Sequence, residues 1–129
     1  MINMRVEQPS QRDPLKPPIP VLWLPTFDNP LLPIPITTLK RGTQAALGII
    51  SQGGSVYAHC AAGVHRSVAL GASILIALGH STEEALRLIK QRREIAYPYK
   101  WYIRKRIERF ASAWDYHDTI LGENSRPAQ

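Results

Sequence analysis

The sequence predicts an α/β fold in which a mostly parallel sheet is covered by helices. Short apolar runs of strand length alternate with longer stretches whose apolar residues recur at helical spacing. Glycines stand just past the ends of two of the periodic stretches, at Gly53-Gly54 and at Gly79. A strand, a glycine-containing turn and an apolar helix follow one another between residues 56 and 78.

The first strand is Ile2 to Val6. Residues 9–35 hold nine of the eleven prolines and read as loop, broken by the apolar strand Val21 to Leu24 that leads towards Asp28. From Thr37 to Ser51, Leu39, Ala46, Leu47 and Ile50 mark one face of a helix that Gly53-Gly54 end. Val56 to His59 is the next strand. The helix Arg66 to Leu78 stops at Gly79, a plausible C′ position. Ser81-Thr82-Glu83-Glu84 has the form of a capping box, opening a helix with Ala85, Leu86 and Ile89 on its apolar side and an end near Arg93. After Pro98 a last helix spans Tyr99 to Tyr116, with Ile103, Ile107, Phe110 and Trp114 as its stripe. Residues 1–120 are expected to form one domain, and 121–129 a disordered tail.

Size and composition narrow the function classes. A chain of 129 residues is large enough for one real core. A single cysteine permits no intramolecular disulfide, which suits a reducing compartment, and no secretory leader is evident, so the cytoplasm is the default. The longest apolar run, residues 68–78, contains a serine and a glycine and is too short to span a bilayer. The net charge is +6, and nine basic residues fall between Arg87 and Arg109. Such a run is usually a solvated helix face; its functional reading is an electrostatic collar for an anionic substrate. No nucleic-acid recognition motif accompanies the charge, so no specific nucleic acid is expected. His80 and His117 are scattered and a lone cysteine builds no Cys-rich zinc site, so neither a metal nor a cofactor is expected.

The segment His59-Cys60-Ala61-Ala62-Gly63-Val64-His65-Arg66-Ser67 carries the chemistry, because it sets the only cysteine six residues before an arginine. A tight loop of this length closes around a phosphate-sized dianion, with a thiolate beneath it and a guanidinium beside it. The helix that follows aims its first backbone N–H groups and the positive end of its dipole at the same anion. A purely structural buried thiol is the rival explanation of Cys60. It leaves the placement of Gly63, Arg66 and Ser67 around that thiol without a purpose. The helix start and Arg66 both favour the thiolate over the thiol.

This run, His-Cys-x5-Arg-Ser, resembles the signature loop of the cysteine-based protein tyrosine phosphatase superfamily, and most of all its dual-specificity branch. The resemblance implies a phosphatase fold and a phosphatase activity on phosphotyrosine, with phosphoserine and phosphothreonine as further targets. It makes Cys60 the nucleophile and Arg66 a two-pronged ligand of the phosphoryl oxygens, which lysine matches poorly. Backbone N–H groups of Ala61, Ala62, Gly63, Val64, His65 and Arg66 would hold the other oxygens, with Gly63 serving a close approach or positive φ. The resemblance assigns Ser67 a hydroxyl hydrogen bond to the Cys60 sulfur that helps the sulfur leave; an ordinary helix-start serine is the alternative. His59 is expected to end its strand and hold Cys60 in place, and His65 to face the substrate rim.

A leaving oxygen needs a proton, hence a general acid. Asp13 and Asp28 are the upstream aspartates. Asp28, 32 residues before Cys60 in the setting Leu24-Pro25-Thr26-Phe27-Asp28-Asn29-Pro30, resembles the general-acid loop of the same branch. A turn aspartate bonded to its own backbone is the competing reading.

The resemblance covers nearly the whole chain. The family, however, carries further strand and helix elements ahead of the segment that looks like Ile2 to Val6. An N-terminally short domain is therefore expected, with one sheet edge lacking its neighbours and self-association through that edge as a possible consequence. Two other functions compete: a phosphatase of phosphoinositides, inositol phosphates or nucleotides, and a phosphate-binding pseudophosphatase or adaptor. Lysines within the loop often mark inositide enzymes of the family. Here Ala61, Ala62 and Val64 stand in those places, which favours less charged substrates.

Overall fold

The computed structural model describes residues 2–5, 22–26, 29, 31–60, 65–94, 96 and 98–114. Within them, three parallel strands and four helices follow the predicted alternation. These are β1 (Ile2–Arg5), β2 (Leu22–Thr26), α1 (Ile36–Ser51), β3 (Ala58–His59), α2 (Arg66–Ala77), α3 (Thr82–Arg92) and α4 (Trp101–Ala113). The expected tail 121–129 lies outside the described residues.

The strand order is β2-β1-β3, so the first strand of the chain is the middle one. Among the described residues, β2 and β3 are the outer strands. Ile2 pairs with Leu22 on one side and with Ala58 on the other. The register between β1 and β2 slips after Asn3–Trp23, to resume at Arg5–Thr26. The extra residue falls in β2 beside Pro25, which has no N–H to give to a ladder. Beyond the slip Thr26 is buried, and its Oγ1 donates to the Met4 carbonyl oxygen at 2.9 Å. The predicted strand Val56 to His59 shortens to Ala58–His59, although Ile2 N–H still bonds the Tyr57 carbonyl at 2.7 Å.

Helix α2 is the hub. It packs against α1, α3, α4 and the sheet, and buried residues occur all around it. This explains why its sequence is apolar throughout rather than striped. Leu70, Ile76 and Phe110 meet Leu39, Ile103 and Ile107 in one core that also takes in Met4 and Leu24 of the sheet.

Helix ends follow local chemistry. Gly53 (φ +81°) closes α1 with Gly53 N–H to Ile50 O and Gly54 N–H to Ile49 O. Gly79 (φ +112°) closes α2 with the same pair of bonds, Gly79 N–H to Ile76 O and His80 N–H to Leu75 O. Both are Schellman motifs, which require a residue that tolerates positive φ. Ser81 Oγ accepts from Glu84 N–H at 3.2 Å, but the Glu84 carboxylate turns to His80 Nδ1, so half of the expected capping box forms. Helix α4 is shorter than its apolar stripe suggests. Lys100 is its N-cap and Trp114 is already extended, although Trp114 still fills the core through its stack on Phe110.

Candidate active site

Cys60 directly follows β3 and Ser67 is the second residue of α2, so two rigid elements fix them before any loop conformation is considered. Their side chains converge: Cys60 Sγ and Ser67 Oγ are 3.4 Å apart, and each residue is 9% exposed. Ser67 is not the helix cap; that place belongs to His65, which makes no side-chain cap bond. The first turn of α2 contains no acidic residue, so its positive end is not neutralised by a carboxylate of its own.

Arg66 is the first residue of α2, and only 4% of it is exposed. Its Nη1 donates to the Thr26 carbonyl oxygen at 2.8 Å. That bond places the guanidinium at the end of β2, two residues before Asp28 in the chain. A buried guanidinium must be hydrogen-bonded, and the Thr26 carbonyl is one of its acceptors.

His65 is half-buried, and its ring meets Tyr102 edge to face at 5.9 Å between centroids. The first turn of α4 thus packs against His65. Cys60 and Ser67 also help to line a cavity of about 630 Å³, together with Val56, Ile74, Leu75 and Ile89 among others.

The structure brings Ser67 onto Cys60, while Arg66 and His65, their neighbours at the start of α2, are held by Thr26 and Tyr102. Asp28, Ala61, Ala62, Gly63 and Val64, and the side chain of His59, lie outside what it describes. Two contributors were not foreseen in the sequence. The Thr26 carbonyl is a backbone group with no residue signature. Tyr102 stands off the Ile103–Ile107–Phe110 stripe of α4, and that displacement was the signal available. As an arrangement, a thiol beside a hydroxyl, a buried guanidinium and an unneutralised helix N-terminus suits an anion presented to a nucleophilic sulfur.

No family model matches the chain. A mouse protein, dual specificity phosphatase 28, is 31% identical over 98 residues, which span 75% of this chain and 58% of the relative. The chain thus spans under two thirds of that relative's length. Among solved structures, DUSP15 superposes with a TM-score of 0.80 at 26% identity, over 99% of this chain and 79% of that one. Human DUSP28 superposes with a TM-score of 0.76 over 87% of this chain and 76% of that one; at 24% identity the likeness is one of fold.

Proposed function

We propose that this chain is a member of the dual-specificity branch of the protein tyrosine phosphatase superfamily and that it hydrolyses phosphomonoesters of tyrosine, and of serine and threonine, in proteins. The observation that carries the reading is the approach of Ser67 Oγ to Cys60 Sγ at the start of α2, beside the buried Arg66.

Two displacements at phosphorus make up the reaction. The Cys60 thiolate attacks the phosphorus, an S–P bond forms, and the bond to the ester oxygen breaks. Asp28 gives its proton to that oxygen. Arg66 and the loop N–H groups hold the three remaining oxygens and match the charge spread over them in the transition state. A water then attacks the cysteinyl phosphate, Asp28 takes its proton, and the S–P bond breaks to return the sulfur as a thiolate. The Ser67 hydroxyl donates to the departing sulfur and lowers the cost of that charge. Nothing in this sequence of steps requires a reductant or a disulfide partner, which fits a single-cysteine chain of a reducing compartment.

Turnover of p-nitrophenyl phosphate by the wild type, Cys60→Ser and Asp28→Ala tests the proposal. Wild-type turnover is expected, with none from Cys60→Ser. Asp28→Ala should lose most rate on alkyl phosphates and less on p-nitrophenyl phosphate, whose leaving group needs little protonation, the remaining loss there falling on hydrolysis of the cysteinyl phosphate. Undiminished turnover in Cys60→Ser would sink the covalent route.

A further inference from the structure

From the phosphate loop, an unbroken line of side chains runs out along α4. The His65 ring meets Tyr102, Tyr102 meets Trp101 edge to face at 5.6 Å, and Lys105 Nζ lies over the Trp101 ring at 5.7 Å from its centroid. That last distance is within cation–π range, so the exposed indole holds the ammonium in place. Trp101 is 59% exposed although it opens a helix whose other large apolar residues are buried. Lys105 and Arg109 continue the same face at intervals of four residues, and with Arg106, Glu108 and Ser112 they line a recess of about 430 Å³.

Among the described residues, acidic groups do not cancel this charge. Arg104 takes both nearby carboxylates: its Nε donates to Glu108 Oε1 at 2.9 Å, and its Nη2 pairs with Glu83 of α3. Among the described residues no carboxylate pairs with Lys105, Arg106 or Arg109. Arg106 is tied by Nε to the Ile34 carbonyl at 2.9 Å. Burial lowers its affinity for its proton, and the positive charge of Arg109 lowers it further. An anion in the recess would relieve that repulsion.

We infer that the Trp101–Lys105–Arg109 face of α4 is a docking strip for an acidic peptide segment flanking the phosphorylated residue held at Cys60. The inference rests on the phosphatase reading for what occupies the loop, but the strip's preference for acidic sequence is a separate property. Its continuity with His65 fixes where the flank runs. Unpaired cations on a rim act mainly on encounter and on selectivity, so the effect should weaken with salt.

The test uses the full 129-residue chain. Two phosphotyrosyl peptides are compared, one flanked by Asp and Glu and one by Asn and Gln. At low salt the wild type should favour the acidic peptide about tenfold in kcat/KM, two exposed ion pairs each supplying a few-fold. In Lys105→Glu/Arg109→Glu the ratio should fall to about one, while Arg92→Glu on α3, a charge reversal of one residue off the strip, should keep it. The ratio of dissociation constants for the same peptides on Cys60→Ser should move in parallel. A wild-type ratio of one, or an equal loss in Arg92→Glu, overturns the strip. Should the wild type turn over neither peptide nor p-nitrophenyl phosphate, the phosphatase reading falls. The dissociation-constant ratio then still upholds or overturns the strip. Tight binding to phosphatidylserine vesicles with no discrimination between the peptides would overturn it in favour of a membrane contact.

Discussion

Arg66 Nη1 donates to the carbonyl oxygen of Thr26 at 2.8 Å, joining the start of α2 to the end of β2 across forty residues of chain. Both residues are buried, and Thr26 is itself pinned by its Oγ1 bond to the Met4 carbonyl. The Thr26 bond thus ties the guanidinium to the sheet in the absence of any ligand. Such preorganisation is what a site stabilising transferred charge requires.

Arg66→Lys should cost about a hundredfold in kcat/KM on p-nitrophenyl phosphate, because a single ammonium cannot satisfy Thr26 and also grip two phosphoryl oxygens. Arg66→Ala should in addition lower stability by about 1–3 kcal/mol, since the Thr26 carbonyl then stays buried without its donor. Steady-state kinetics and urea unfolding separate the two effects. A lysine variant with wild-type kinetics would remove the forked contact from the account.

Ser67→Ala should slow the second step alone. The loss of one neutral hydrogen bond to the departing sulfur predicts a fall in kcat of about three- to tenfold. Cysteinyl phosphate should then accumulate, giving a burst of one equivalent of p-nitrophenol per chain in stopped flow. A variant that is slower but shows no burst places Ser67 in the first step instead.

Phe110 has no exposed surface and stacks on Trp114 at 5.3 Å between centroids. Its replacement by Ala should destabilise the fold by about 3–5 kcal/mol, since the side chain sits where α4 meets the α2 hub and rigid neighbours leave a cavity behind. Chemical denaturation reads this directly. A loss under about 1 kcal/mol would mean that the α4 interface collapses freely around the gap.

Ser81→Ala should cost about 1 kcal/mol, because the Glu84 N–H loses its only side-chain cap at the start of α3. Ser81→Asp should restore it, as aspartate caps equally well and suits the helix dipole. Thermal unfolding of the three proteins is the measurement; a variant pair with indistinguishable midpoints would assign the cap no energy.

Helix positions were legible in the sequence because the forces that set them are local. Leu39, Ala46, Leu47 and Ile50 repeat at the helical period, and Gly53 and Gly79 supply the positive φ that closes α1 and α2. Boundaries moved by only one or two residues. The end of α4 is the instructive exception. Trp114 keeps the apolar period yet is extended, since burial against Phe110 rewards its side chain whether or not its backbone is helical.

The order Cys60, Arg66, Ser67, with a helix beginning at the arginine, was likewise written in the chain, and the proposed chemistry rests on it. Periodicity and motif spacing could not supply the neighbours that come from distant segments. That Ile2–Arg5 lies in the middle of the sheet, that a slip beside Pro25 leaves Thr26 buried with its carbonyl on Arg66, and that Tyr102 meets His65 are all consequences of strand order and of how α4 crosses α2. Residues within one turn or one strand select their conformation by local hydrogen bonds and apolar spacing. Residues forty apart meet only where the packed core brings their elements together, and there the tertiary structure decided what surrounds the cysteine.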